Sequence, residues 1–182
     1  MEILSLALVL LLIAYFSGIE IAFISANKLR IELLKEKGQT RAKIVSEFNN
    51  NPSRFISTLL IGLNIALVLF GSMMARLLTP ERFSFLPHDE AYLMIIETFT
   101  TTALVLLLGE LIPKMLFRIN ADQMLLFFAY PTKYLVYMPL QPLSDLFHTL
   151  SRKTIKLIAG KDFHDNVQSF SQEDLEYLHS IL

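Results

Sequence analysis

The chain contains no cysteine among its 182 residues. This absence excludes disulfide bonds, thiolate metal sites and cysteine-based catalysis together. Charged residues are also scarce: they make up 18% of the chain, whereas a soluble domain carries about 25%. The formal net charge is −1, which gives no reason to expect a nucleic-acid partner.

Recognisable catalytic motifs are also missing. The sequence has no glycine-rich phosphate-binding loop, no nucleophile elbow and no paired-carboxylate hydrolase arrangement. Its four histidines lie outside the long apolar runs and lack metal-ligand spacing: His88, His148, His164 and His179. We therefore predict that the chain is not an enzyme.

The chain is instead rich in apolar residues, and they are concentrated in a few long runs. Hydrophobic residues make up 53% of it, and its mean hydropathy is +0.49. Three runs, 3–24, 55–78 and 91–112, are long enough to cross about 30 Å of hydrocarbon as helices. The first run lacks the basic start and cleavage site of a signal peptide, so we predict a retained transmembrane helix. The predicted fold class is an all-α integral membrane protein with three transmembrane helices.

Two further segments are predicted to form a helical belt beside the membrane on its cytoplasmic side. Residues 123–147 are apolar but contain three prolines and Lys133, which predicts broken, re-entrant or interfacial helices. Residues 25–54 have helical spacing on both sides of Gly38, which predicts a helical hairpin turning there.

The charges of the connections predict the orientation. The connection 25–54 is basic and the connection 79–90 is acidic. By the positive-inside rule, the N-terminus lies outside and the C-terminus in the cytoplasm of a multi-pass protein of the cell membrane (inner or plasma membrane). Residues 151–182 are predicted to be a cytoplasmic amphipathic linker, with a further helix beginning at Ser171.

Each predicted span carries oxygen-bearing groups at membrane depth, where a charge is costly. Carboxylate, carboxamide, hydroxyl and carbonyl oxygens suit hard cations such as Mg²⁺, Ca²⁺ or Na⁺. Locally unwound backbone at Gly62 and Gly109 could add carbonyls. The candidate metal ligands are Ser17, Glu20, Gly62, Asn64 and Glu110.

Every one of these residues also has a structural explanation. The hydroxyls could bond the helix backbone or hold helices together, and the carboxamide could bond its own symmetry mate in an oligomer. Glu20 could pair with Lys28 or Arg30, and Glu110 with Lys114. The glycines could simply allow close helix approach. Because all three spans present oxygen donors, we favour a cation site.

Three segments together resemble a known family: "FSGIEIAFISANKLRI", "NPSRFISTLLIGLNIA" and "LLLGELIPK". They resemble, in order and spacing, the DUF21 transmembrane domain of the CNNM/CorC family of magnesium transporters, over about residues 1–150. The resemblance implies a homodimer of three transmembrane helices plus a juxtamembrane belt. It also implies a following CBS-domain pair that binds ATP, which this chain lacks.

The resemblance further implies an inward-facing cavity for Mg²⁺, whose export is coupled to Na⁺ entry. By motif match, the implied ligands are Ser17, the Gly62 carbonyl, Asn64 and Glu110, with Glu20 supplying charge. Gly18, Gly109, Pro113 and Lys114 complete the motifs, the last two as a helix break and a cytoplasmic anchor. At Ile21 many relatives have threonine, so a hydroxyl that could help bind Na⁺ is absent.

An alternative hypothesis is a non-transporting membrane interaction or regulatory protein, haemolysin-like or accessory to motility. Its polar residues would hold helices together. The transporter hypothesis predicts that Asn64→Ala or Glu110→Ala abolishes stabilisation by cations and leaves the dimer intact. The alternative predicts a loosened dimer and no response to cations.

Overall fold

The computed structural model describes residues 2–81, 83 and 89–159, with only the backbone at residues 148 and 151–159. All the regular structure in these ranges is helical. In chain order the elements are α1 (Glu2–Ser25), α2 (Lys28–Glu36), α3 (Thr40–Asn49), α4 (Pro52–Leu77), α5 (Glu90–Leu104), a π-helix π1 (Val105–Leu111), α6 (Ile112–Ile119), α7 (Ala121–Phe127), α8 (Ala129–Pro131), a second π-helix π2 (Thr132–Tyr137) and α9 (Met138–Ala159).

The three predicted apolar helices are present. They are α1, α4 and the continuous helical run Glu90–Ile119, which consists of α5, π1 and α6; they contain 24, 26 and 30 residues. At about 1.5 Å per residue, each exceeds the thickness of a bilayer's hydrocarbon core. The prediction of an all-α chain with three helices long and apolar enough to cross a membrane is confirmed.

Helix α1 is the centre of the packing, with α4 against it on one side and π1 with α6 on another. Glycines allow this close approach, because a methyl group in their place would overlap a neighbouring side chain. The overlapped groups are the Phe117 ring for Gly18, the Phe16 ring for Gly62 and the Ile13 side chain for Gly109. The interpretation that these glycines permit close helix approach is confirmed.

The predicted hairpin between α1 and α4 is also present. Helices α2 and α3 are joined at Gly38, whose φ of 83° lies in the left-handed region that favours glycine. Asn27 begins α2 by accepting the Arg30 N–H. The two helices are linked through Ser46, which donates to Glu32 over 2.6 Å and accepts from Lys35 over 2.9 Å.

An aromatic cluster joins the hairpin to α1 and α4. Phe48 of α3 stacks on Phe55 of α4, with ring centroids 4.2 Å apart. Phe23 of α1 contacts Phe55, and Tyr137 of π2 contacts both rings. Phe48 and Phe55 are at most 1% exposed, so this cluster is part of the main core.

The segment 123–147 is broken, as predicted, but not at its prolines. The interruption lies at Phe128, between α7 and α8, whereas the chain remains helical through Pro139 and Pro142. The hydroxyls of Tyr15 and Thr132 hydrogen-bond over 2.7 Å and tie this segment to α1. Lys133 forms an ion pair with Glu47 of α3.

The chain divides into two compact units, Met1–Ser144 and Asp145–Leu182. The second unit is described to Ala159 as the later part of α9, in which the Thr149 hydroxyl donates to the Asp145 carbonyl. The side chains of the predicted amphipathic linker and the helix predicted from Ser171 lie outside the described residues, as does most of the connection 79–90.

Candidate cation site

The third apolar run changes its winding where the candidate acid Glu110 lies. Residues 105–111 form the π-helix π1, and Pro113 follows its last residue by two positions. Because proline has no N–H, Pro113 cannot donate to the Gly109 carbonyl, and its ring would crowd that carbonyl in a regular α-helix. The wider winding of a π-helix relieves this crowding, and such turns often occur at functional sites.

The carboxylates of Glu20 and Glu110 meet around one lysine. The Lys114 Nζ lies 3.4 Å from Glu110 Oε2 and 4.0 Å from Glu20 Oε2. The side chains of Glu20 and Glu110 are 18% and 28% exposed, and that of Lys114 is 36% exposed. The predicted pairing of Glu110 with Lys114 is therefore observed. The proximity of Glu20 to this pair joins α1 to the third run.

Ser17 lies one helical turn before Glu20 on α1 and is fully buried. Among the described residues, its hydroxyl has no hydrogen-bond partner, and neither has the buried Thr101 hydroxyl of α5. Other hydroxyls of the spans bond their own helix: Ser57 donates to the Ser53 carbonyl and Thr58 to the Arg54 carbonyl. The backbone-bonded interpretation holds for Ser57 and Thr58 but not for Ser17, which has a lone pair free for a ligand.

No described contact joins the two candidates on α4 to the carboxylates of this cluster. Gly62 faces Phe16 of α1 within an unbroken helix, so an unwound carbonyl at this position was a wrong expectation. Asn64 is exposed and donates to the Leu60 carbonyl over 2.9 Å. No described contact joins Asn64 to Glu20 or Glu110.

The corner between α1 and α2 is fixed by an acid from α7. Asp122 accepts the Asn27 N–H over 2.8 Å and pairs with Arg30 over 3.1 Å. The alternative pairing of Glu20 with Arg30 is therefore wrong. This corner lies just beyond the end of α1 that carries Glu20, and it holds that end against the segment following α6.

Sequence reasoning missed the contact of Lys114 with Glu20 and treated Lys114 as an anchor. The (i, i+4) spacing of Glu110 and Lys114 is a local signal, whereas the approach of Glu20 depends on how α1 packs against α6. A proline two positions beyond each π-helix, Pro113 after π1 and Pro139 after π2, is a signal that could have indicated the altered winding.

The donor set limits the chemistry of the site. Among the described residues, no three His, Cys, Asp or Glu side chains lie close enough to hold a metal ion. Two carboxylates and a buried hydroxyl are instead suited to a hard cation that keeps part of its water, as Mg²⁺ usually does in proteins. A site with so few protein ligands would bind an ion weakly enough to release it again, as transport requires.

The described part of the chain is all-helical, with three apolar helices of membrane-spanning length. Two of these helices carry a cluster of charges. These features are those of a membrane protein with a polar site. The chain belongs to the CNNM family, because residues 3–181 match that family's profile, described as the cyclin M transmembrane N-terminal domain. This confirms the resemblance found in the three sequence motifs.

Curated relatives agree with this assignment. The chain is 28% identical over 169 residues to the UPF0053 inner membrane protein YfjD of Escherichia coli, covering 89% of this chain and 36% of the relative. It is 27% identical over 172 residues to a UPF0053 protein of Haemophilus influenzae, covering 93% and 38%. It is also 31% identical over 118 residues to the polyamine export protein of Haemophilus influenzae, covering 62% and 27%. The chain thus spans well under half the length of these relatives.

Proposed function

We propose that this chain is the membrane domain of a cation transporter, that its cargo is Mg²⁺, and that it exports Mg²⁺ in exchange for Na⁺. The observation that carries the proposal is the approach of Glu20 and Glu110, from two apolar helices, to one lysine ammonium, with the unpartnered hydroxyl of Ser17 one helical turn from Glu20. Two acids at membrane depth are costly, and a cation bound between them offsets that cost.

The proposed orientation follows the charge of the connections, with the N-terminus outside and the C-terminus in the cytoplasm of a cell membrane. In this orientation, Glu20 and Glu110 lie near the cytoplasmic ends of their helices. The site is then open to the cytoplasm, as an exporter requires. The hairpin of α2 and α3 and the segment from α7 to π2 form the cytoplasmic belt.

Asn64 has two roles open to it in this proposal. As a ligand, its carboxamide oxygen would act after a change in the packing of α4, because the amide now bonds the Leu60 carbonyl and is exposed. As an interface residue, it would bond a second copy of the chain. An exposed amide on an apolar helix is better placed against protein than against lipid. The proposed assembly is a homodimer.

A second candidate cargo is a polyamine. The ammonium of Lys114 already lies between two carboxylates, which is the environment that a terminal ammonium of a polyamine would need. The relative named polyamine export protein directs attention to this class of cargo. Mg²⁺ remains the first candidate because the buried hydroxyl of Ser17 adds a neutral oxygen of the kind that Mg²⁺ uses.

Thermal unfolding of the purified chain in detergent, across a Mg²⁺ titration, tests the proposal. A ligand at 100 times its Kd that binds the folded state alone adds about 2.7 kcal/mol of stability. We expect a saturable Mg²⁺ response that is lost in Glu110→Gln and kept in Glu97→Gln, a matched change on the same helical run. Parallel titrations with Na⁺, Ca²⁺ and 1,4-diaminobutane identify the cargo class.

A response to the diamine alone would favour the polyamine cargo. No response to any cation, combined with a looser dimer in Glu110→Gln and Asn64→Ala, would favour the non-transporting interaction protein. The activity of any longer protein that contains this chain, including ATP binding by CBS domains, is a separate part of the proposal.

Single cysteines test the homodimer, because the chain has none of its own. Phe99 of α5 is 76% exposed and Leu11 of α1 is 65% exposed. Because α5 has no residue buried against the described part of the chain, we place the proposed interface on this helix and expect Phe99→Cys, but not Leu11→Cys, to cross-link two copies in membranes. Equal cross-linking at both positions, or at neither, would contradict a specific interface on α5.

A further inference from the structure

Lys114 is the one component of the acidic cluster that the proposed cation transport does not use. Its ammonium approaches both carboxylates, at 3.4 Å from Glu110 and 4.0 Å from Glu20. The two acids come from different helical runs. Without Lys114, no described contact would offset the negative charges of these two acids.

We propose that Lys114 is a tethered competitor for the transported cation: its ammonium offsets one of the two negative charges of Glu20 and Glu110 in the empty site and withdraws when a cation binds. This inference rests on the proposed function, because it concerns the same two carboxylates. It adds that Lys114 sets the affinity of the site for the cation and that its ammonium leaves the carboxylates when the cation binds.

The charges of the cluster favour this exchange. Two carboxylates and one ammonium leave one negative charge. A divalent cation added to all three would leave one positive charge in a region of low dielectric, where uncompensated charge is unfavourable. With the ammonium withdrawn, the divalent cation and the two carboxylates are neutral. The Lys114 ammonium and the cation therefore compete for the same two carboxylates.

The geometry makes withdrawal feasible. A charge-assisted N–H···O bond usually spans about 2.7–2.9 Å, and both Lys114 contacts are longer than that. The lysine stem has four flexible carbons, and its side chain is 36% exposed. Lys114 can thus carry its ammonium towards water or headgroups while its backbone stays in α6.

The rest of the cluster is held more firmly. Glu20 lies on α1, whose neighbours Ser17, Gly18 and Ile19 are buried. Pro113, next to Lys114, is also buried, and the Gly18–Phe117 contact fixes α1 against α6. Packing therefore holds the backbone that carries Glu20 in place, whereas the Lys114 ammonium lies at the end of a long and more exposed side chain.

Thermal unfolding of Lys114→Met in detergent across a Mg²⁺ titration tests the inference. Methionine keeps an unbranched apolar stem of similar length and removes the charge. We expect Lys114→Met to be less stable than the wild type without Mg²⁺, and its half-saturating Mg²⁺ concentration to be lower by on the order of tenfold. Lys133→Met, which removes an ion pair with Glu47 elsewhere, should leave the half-saturating Mg²⁺ concentration unchanged.

Two further variants separate charge from folding. Lys114→Met combined with Glu110→Gln has the same net cluster charge as the wild type, so it should regain stability without Mg²⁺ and lose the Mg²⁺ response. Lys114→Arg keeps the charge, and its guanidinium can span both carboxylates. It should fold and need more Mg²⁺ than the wild type, which keeps the inference testable if Lys114→Met does not fold.

The outcomes distinguish the inference from the proposed function. If the wild type responds to Mg²⁺ but Lys114→Met needs the same concentration or more, Lys114 is a structural partner and the inference is overturned while the proposed function stands. If neither responds, both fail. If Lys114→Met alone responds, the inference is supported and Mg²⁺ binding by the wild-type chain is contradicted.

Discussion

Helices α1 and α5 are both apolar, yet they have opposite surroundings. Seven residues of α1 are buried, from Ile13 to Phe23. None of the 15 residues of α5 is buried against the part of the chain that the structure describes. Apolar composition thus identifies α1 and the run that contains α5 as membrane-spanning candidates and does not tell which of them forms the protein core.

The difference in burial between α1 and α5 is explained by where the small residues lie. Close approach of helices needs small side chains at the contact, and α1 meets its neighbours at Gly18, Gly62 and Gly109. Helix α5 has no glycine between Glu90 and Leu104. Its large side chains, such as Phe99 and Ile95, face outwards, where lipid or a second copy must cover them. The core around α1 positions the cluster of Glu20, Glu110 and Lys114, whereas α5 is left to be covered by lipid or by a second copy of the chain.

The largest expected effect separates the two regions at a phenylalanine. Phe55→Ala removes a ring that is 0% exposed and stacked on Phe48, so it should cost about 3–5 kcal/mol of unfolding free energy. Phe99→Ala should change unfolding of the monomer by less than about 0.5 kcal/mol and weaken self-association. Denaturant unfolding in detergent and light scattering measure the two quantities. Equal costs in unfolding would contradict the comparison.

Glycine substitutions give the next effect. Gly62→Ala places a methyl group against the Phe16 ring, and overpacking of this kind costs about 1–3 kcal/mol. Gly71→Ala, on the same helix with no atom within 4 Å of the new methyl group, should be neutral or stabilise by up to about 1 kcal/mol. Thermal unfolding compares the pair. A neutral Gly62→Ala would show that α1 and α4 are not closely packed.

A smaller effect is expected at the corner that ends α1. Asp122→Ala removes the acceptor of the Asn27 N–H and the partner of Arg30, and we expect a loss of about 1–2 kcal/mol. Arg30→Gln removes only the ion pair of a side chain that is 61% exposed, so it should cost less than about 1 kcal/mol. The same unfolding assay measures both losses. A larger loss for Arg30→Gln would show that the ion pair, and not the hydrogen bond to the Asn27 N–H, contributes most to the stability of this corner.

The smallest effect concerns the hairpin and depends on pH. Hydrogen bonds from Lys35 and Ser46 lower the pKa of Glu32. The stability that these bonds add is therefore present above the unfolded pKa of about 4.3 and is lost as the pH falls through the lower folded value. Hydrogen exchange of α2 and α3 should show less protection in Glu32→Gln than in the wild type at neutral pH, with the difference vanishing in acid. Glu36→Gln, on the same helix, is the control. A difference in protection that persists in acid would show that the ionised Glu32 carboxylate is not its cause.

The sequence predicted the helices better than their contacts, for physical reasons. Apolar length defines α1, α4 and the third run, and Gly38 defines the hairpin turn, because these signals are local. The position of the break at Phe128 was not predicted, and altered winding around Gly109 was expected as an unwound carbonyl rather than as the π-helix π1, since a proline signals a local problem and the surrounding packing decides how it is relieved. The pairing of Glu20 with Lys114 was missed because it joins residues 94 positions apart in the chain, 114 minus 20.

The predicted ligand set divides in the same way. Ser17, Glu20 and Glu110 were proposed from their residue types and depth, and packing of α1 against the third run brings the two acids together. Gly62 was proposed as a carbonyl ligand, but its contact with Phe16 explains why it is glycine. Asn64 remains a prediction, because a single helix's sequence does not tell which side of α4 faces the site.

Flux of Mg²⁺ through proteoliposomes tests the central claim most directly, with a Mg²⁺-sensitive dye inside the vesicles and a Na⁺ gradient imposed across the membrane. The account predicts saturable Mg²⁺ movement by the wild type, its loss in Glu110→Gln and its retention in Glu97→Gln. Flux no greater than in protein-free vesicles, from chains shown to be folded and inserted, would contradict the claim that these helices carry a cation.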